Sequence, residues 1–229
     1  MSIQRAVAEP IVYVVDDDPA FGRTVAELVR FLNYEARLFE SAEEFLVGVA
    51  PDQPGCAILD FRLPGMDGLE VQQRMAERGI ALPVIVLTAY AETSLTVSSL
   101  RNGAITVLDK PFRREDLSSS VREAVRLSQQ EYQRRQYIDS LESRLRNLTT
   151  GDRTVLRLML EGHKNRSIAN RLGVSLRTVE NRRRRVFTVM QAASIAQLTR
   201  MIVEYEHNLL PQENLQESWL QLPFERVAS

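Results

Sequence analysis

Four places far apart in the chain carry the residue types that phosphoryl chemistry needs. Asp16, Asp17 and Asp18 follow the apolar run IVYVV (11–15), and Asp60 closes CAILD (56–60). Thr88 follows PVIVL (83–87), and Lys110 follows ITVL (105–108) within VLDKPF. Carboxylates gathered in one pocket cannot all stay ionised without a counterion, and a hard divalent cation with oxygen ligands is the usual solution. Magnesium takes few protein ligands and prefers phosphate oxygens, so such a pocket suits phosphoryl chemistry better than a calcium cage. With that charge screened, Asp60 would attack phosphorus as a carboxylate nucleophile and form an acyl phosphate. Lys110 would meet the phosphoryl oxygens as a compact point charge, and the Thr88 hydroxyl would donate to another oxygen. Each residue alone has a plainer explanation: DDDP before a helix is a capping turn, Lys110 a solvated charge, Thr88 a turn hydroxyl. Their order and common placement are what is specific.

The elements that must position them are legible as well. Together with EARLF (35–39), the apolar runs predict five strands, alternating with helix-patterned stretches over Ala20–Leu32, Ala42–Ala50, Gly68–Arg78 and Glu92–Asn102. Such alternation predicts an α/β doubly wound, five-stranded parallel sheet covered on both faces, whose ligand sites form at the carboxyl ends of the strands.

The chain's net charge of −1 over 229 residues conceals two halves. Residues 1–127 hold 13 basic and 19 acidic side chains, whereas residues 148–206 hold 11 basic and 5 acidic ones, which points to a polyanion partner for the second half. Cys56 is the only cysteine, so an internal disulfide is excluded. A reducing cytosol fits, with Cys56 a small buried residue in a strand. The start MSIQRAVAEP has no apolar leader, and no apolar run approaches the roughly 20 residues needed to cross a bilayer. The expectation is a cytoplasmic protein with no membrane partner.

In the basic half, NRSIANRLGVSLRTVENRRRRVF holds two helical patterns separated by LGVS. Gly173 supplies a helix end and Ser175 an N-cap for the second helix, which is helix-turn-helix spacing. On that second helix Val179, Val186 and Met190 point inward, while Asn181 and Arg184 share another face. Consecutive arginines at 182–185 spread guanidinium groups over more than half the circumference, and arginine pairs with guanine edges or phosphates. Some of these groups must reach outward, and Arg183 and Arg185 are expected to hold phosphates.

Between the halves, residues 113–148 contain no glycine or proline, and Glu115–Asn147 would make one helix of roughly 50 Å at about 1.5 Å per residue. Ile138, Leu141, Leu145 and Leu148 carry the 3-4-3 spacing of a short coiled-coil seam, although Glu131 and Arg134 put charge further back. The seam predicts a homodimer formed on phosphorylation. Beyond Glu206, NLQESWLQL between Pro211 and Pro223 gives no functional reading.

The segments VVDDD, ILDFRLPGMDG, VIVLTAY and VLDKPF closely resemble the receiver domain of two-component response regulators. That resemblance makes Asp60 the phospho-acceptor. It gives magnesium to Asp17, Asp60 and the Arg62 backbone carbonyl, with Asp16 acting through water, and makes Thr88 and Lys110 the switch and phosphate contacts. Val107 departs from the aromatic residue that many receivers carry three places before the lysine, so the threonine-to-aromatic relay is not expected here. Arg62 and Tyr90 stand where the family tunes phosphoryl lifetime. LTTGDRTVL, NRSIANRL and VSLRTVENRRRRV resemble the LuxR-type effector domain of the NarL/FixJ regulators. Residue by residue this implies base contacts from Glu180, Asn181 and Arg184, with Arg177 and Thr178 near phosphates. Asp152 replaces the usual glutamate and Arg182 a frequent histidine. The last helix, with Ile195, Leu198 and Met201, fits either a dimer helix or a core.

The organisation implied is a flavodoxin-like receiver at 1–125, a helical linker at 126–147, an all-α helix-turn-helix domain at 148–206 and a tail at 207–229. The implied partners are a sensor histidine kinase, double-stranded promoter DNA and RNA polymerase. The protein is not an enzyme beyond its own phosphorylation and dephosphorylation with Mg2+. A regulator that binds DNA without phosphorylation is the alternative. A haloacid-dehalogenase-type phosphatase, using the Asp16-x-Asp18 spacing, explains neither the helix-turn-helix nor Ala20.

Overall fold

The computed structural model describes residues 8–50, 52–89 and 98–209. Its chain divides into two compact units, Met1–Gln133 and Arg134–Ser229.

In the first unit the order is β1 (Ile11–Val15), α1 (Pro19–Phe31), β2 (Glu35–Phe39), α2 (Ala42–Gly48), β3 (Gly55–Asp60), β4 (Arg62–Leu63), β5 (Met66–Asp67), α3 (Gly68–Glu77), β6 (Val84–Thr88), β7 (Ala104–Asp109) and the start of α4 (Arg114–Arg146). Five strands form a parallel sheet in the order β2-β1-β3-β6-β7. Because side chains alternate along a strand, each central strand serves two cores. Tyr13, Val15, Ala57, Leu59 and Val86 pack with Phe45, Val71 and Met75 on the α2/α3 face. Val12, Val14, Ile58, Ile85 and Leu87 pack with Val25, Val29, Leu117 and Val121 on the α1/α4 face. Cys56 is fully buried on that second face, and burial pushes its thiol up to about 12, so it is an inert core residue.

All five expected strands occur, with ends shifted by no more than one residue. The expected α2 stops two residues early, at Gly48, where Val49 turns extended (ψ 134°). Ala50 precedes Pro51, and a residue before proline resists the helical region. The small β4/β5 pair was not expected, since two-residue strands carry no periodicity. Most of the helix expected over Glu92–Asn102 lies outside the described residues, as does Tyr90; residues 98–101 are helical.

The second unit holds the end of α4, then α5 (Thr150–Leu160), α6 (Asn165–Leu172), α7 (Leu176–Met190) and α8 (Ile195–Leu209). Here the linker expectation is corrected. Leu141 is 1 % and Leu148 3 % exposed, packed in one cluster with Val155, Ile168, Val186 and Leu198, and Ile138 and Leu145 rest against that cluster. The 3-4-3 spacing therefore marks a helix face that helps build the effector core, not a seam left open for a second chain. Periodicity shows that one face is apolar but not what covers it. Arg144 reinforces the docking, its Nη1 donating to the Met190 carbonyl at the end of α7 over 3.0 Å. The earlier part of α4 belongs instead to the first unit, where Ser128 Oγ accepts from the Gly55 amide at 3.0 Å. Residues 126–147 are thus divided between the units.

In α8, Leu198 and Met201 are core while Ile195 is 41 % exposed. The helix runs to Leu209, three residues into the expected tail; the remainder of that tail, with Trp219, lies outside the described residues.

Candidate functional site

Parallel register brings the acidic residues together. Val15 of β1 lies beside Leu59 of β3, so the next residues, Asp16 and Asp60, emerge at the same level. Asp60 pairs with Leu87 of β6 and Thr88 with Asp109 of β7, which sets Thr88 and Lys110 at that same edge. The Lys110 amide donates to the Thr88 carbonyl at 2.7 Å, and the Lys110–Pro111 peptide is cis.

Lys110 is the centre of the pocket. Its ammonium lies 2.8 Å from Asp60 Oδ1 and 3.0 Å from Asp16 Oδ2, with side-chain exposures of 22 % for Lys110, 13 % for Asp60 and 3 % for Asp16. Burial pushes the Asp16 carboxyl above its ordinary value, and the Lys110 hydrogen bond and the Asp18 amide only partly offset it. Burial works the other way on Lys110. There the hydrogen bonds to Asp60 and Asp16 win, and the ammonium is held above its ordinary value. Sequence reasoning missed one neighbour: the Lys110 nitrogen sits 3.9 Å from the centroid of the Phe21 ring, whose α1 position gave no hint of a cation contact.

The other expected residues separate. Asp18 caps α1, accepting from the amides of Ala20 at 2.9 Å and Phe21 at 3.3 Å, so its carboxylate is committed to the helix. That leaves the Asp16-x-Asp18 phosphatase pairing without its second acid. Asp17 and Arg62 are exposed at the rim. Thr88 is 2 % exposed, and Val107 packs half-buried against the α2/α3 core. Among the described residues, no three His, Cys, Asp or Glu side chains converge as a metal cluster. Asp16 and Asp60 meet through Lys110, and Asp17 lies exposed at the rim. The donor chemistry still fits a hard cation. All candidate donors are oxygens, and three carboxylates against one ammonium leave two negative charges.

The second unit forms a helix-turn-helix of α6 and α7. Gly173 ends α6 at φ 63°, a left-handed cap for which glycine is best suited, and Ser175 caps α7 by accepting from the Thr178 amide at 3.1 Å. Val179, Val186 and Met190 are fully buried. Arg177, Glu180, Asn181 and Arg184 are exposed, and Thr178 and Arg183 are half-buried. Arg185, expected on a phosphate, is instead drawn to Asp152 of α5 at 3.1 Å.

Both units match known families. Residues 12–122 match the model of the response regulator receiver domain, and residues 146–202 that of bacterial regulatory proteins of the luxR family. The chain is 33 % identical to the response regulator protein TmoT of Ectopseudomonas mendocina over 88 % of its own length and 91 % of that protein's. It is 34 % identical to the transcriptional regulatory protein FixJ of Azorhizobium caulinodans over 83 % and 90 %. Among solved structures, the response regulator StyR superposes with a TM-score of 0.82 at 33 % identity, covering 86 % of this chain and 100 % of that one. With a receiver and a luxR-type domain in this order, and relatives matched along most of their length, the chain belongs to the response regulators of the NarL/FixJ family, phosphorylatable DNA-binding regulators of transcription.

Proposed function

We propose that a sensor histidine kinase transfers phosphate to Asp60, and that the phosphorylated chain binds promoter DNA through α7. The observation that carries this reading is the Lys110 ammonium poised 2.8 Å from Asp60 at the strand ends, in a chain whose second unit presents an exposed arginine-bearing helix. Asp60 is the nucleophile, Lys110 the neutralising charge, and Thr88 the hydroxyl donor and switch. Receiver domains generally use Mg2+; here Asp17, Asp60 and the Arg62 carbonyl would hold it, with Asp16 behind water. Bound there, the cation supplies countercharge for the phosphoryl group.

With Val107 in place of an aromatic ring, the change passes mainly through Thr88 and the segment that follows it, most of which lies outside the described residues. Homodimerisation on phosphorylation remains part of this reading, on a surface other than the Ile138–Leu148 face. RNA polymerase is a further partner, and the compartment is the cytoplasm, where promoter DNA is met. No single helix among the described residues is long and apolar enough to cross a membrane.

Footprinting across genomic DNA with and without acetyl phosphate and magnesium tests the function, with light scattering on the same samples. Protection and dimer fraction are expected to rise together with the phosphodonor. Equal protection in both samples would establish the phosphorylation-independent alternative.

On DNA, Arg177 and Thr178 are assigned to phosphates near the start of α7, Glu180, Asn181 and Arg184 to base edges, and Arg183 to a phosphate. Arg184→Ala is expected to cost about 1–3 kcal/mol at a preferred site and little on random duplex, because a bidentate base contact is sequence-specific. Competition binding with both duplexes measures this, and equal losses on the two would remove Arg184 from base reading.

A further inference from the structure

The four consecutive arginines of α7 divide into groups with different jobs. At about 100° per residue, Arg177, Asn181, Arg184 and Thr188 fall opposite the buried Val179 and Val186, whereas Arg182 and Arg185 fall together on one flank. That flank meets the first turn of α5. The Arg182 guanidinium lies so close over Gly151 that a Cβ there would come within 2.6 Å of Arg182 Cζ, which only glycine avoids. One turn further along α7, Arg185 Nε lies 3.1 Å from Asp152 Oδ2.

Asp152 is a firm anchor. It is 2 % exposed, and the same Oδ2 accepts from the Thr149 hydroxyl at 2.6 Å and the Thr149 amide at 3.1 Å, closing a capping box at the start of α5. Were Arg185 to leave for a DNA phosphate, a buried carboxylate would lose that cationic partner. Arg184 points away from α5 and is exposed.

We propose that Asp152 is a positioning and specificity-determining residue for DNA binding: it retains Arg185 on α5 and keeps it off the phosphate backbone. The consequence is selectivity. Phosphate contacts raise affinity for every sequence alike, so withholding one arginine from the backbone leaves the base-facing residues a larger share of the binding energy. This inference rests on α7 being the helix that meets DNA.

The test is the salt dependence of binding by the full-length chain, treated with acetyl phosphate and magnesium, to random duplex DNA. Each phosphate contact adds about 0.9 to the slope of log K against log salt, so a freed Arg185 steepens the loss over a fourfold salt range by about 3.5-fold. Asp152→Asn, which keeps the shape and a cap acceptor but removes the charge, is expected to gain that increment and to lose preference for a site over random DNA. Asp152→Glu should restore the wild-type slope, and Asp152→Asn with Arg185→Ala should return to it. Arg185→Ala alone should leave the slope unchanged. A slope that falls by about 0.9 in Arg185→Ala means that Arg185 already holds a phosphate and overturns the proposal, as does a folded Asp152→Asn with wild-type slope. Should circular dichroism show Asp152→Asn unfolded, Arg185→Ala decides by itself. A wild-type chain that binds no duplex at all would remove the DNA-reading helix, a failure distinct from an unmoved slope.

Discussion

Asp60→Asn is expected to abolish incorporation of a labile phosphoryl group from acetyl phosphate while leaving the receiver folded. The reason is chemical before it is structural. A carboxylate oxygen can attack phosphorus and release the leaving group with its electron pair; an amide oxygen of the same shape cannot. Asp60 is also the pocket acid that is reachable and paired at once: Asp16 is closed off at 3 % side-chain exposure, whereas Asp60 keeps 13 % and faces the ammonium. Stability should hold because Lys110 retains Asp16 as a partner at 3.0 Å after the change. Mass spectrometry of wild type and variant, with a melting curve for each, checks both halves. Label surviving in Asp60→Asn would move the acceptor to another carboxylate and reopen the phosphatase alternative. A phosphodonor effect on DNA binding that persists in an unlabelled variant would instead separate phosphorylation from regulation.

The second large effect is expected at Leu141. With 1 % of its surface exposed among Leu148, Val155 and Leu198, Leu141→Ala removes a core side chain, and such truncations cost about 2–5 kcal/mol. A loss of this size is a large fraction of a small domain's stability, so the effector unit should melt early and DNA binding should fall with it. Receiver labelling on Asp60 should be untouched. Differential scanning calorimetry with a phosphorylation assay distinguishes this from the dimer-seam alternative. There the variant would keep its melting behaviour and lose only the phosphodonor-dependent rise in mass.

Leu141 also shows where sequence reading stops. The repeat Ile138, Leu141, Leu145, Leu148 reported an apolar helix face correctly, and a seam between two chains has the same period as a helix docked on its own domain. Only the packing of α5, α7 and α8 against that face tells them apart. Thr88 and Lys110 were easier. A residue at the end of a buried parallel strand can emerge only at the sheet edge, so the apolar runs placed both without any knowledge of neighbours.

What the sequence determined by itself was the set of elements and the order of the chemistry along them: five strands, the strand-end acids and lysine, the left-handed glycine at 173 and the serine cap at 175. These are local properties, dictated by side-chain alternation, caps and turn preferences. What the tertiary structure decided was partnership. Asp17 stands at the rim while Asp16 and Asp60 share one ammonium, Asp18 is committed to capping α1, and Arg185, exposed like Arg184, is paired with Asp152. Charge and spacing are visible in a string of residues, but whether a charged group meets solvent, a ligand or a buried counter-charge depends on which distant segments the fold packs beside it.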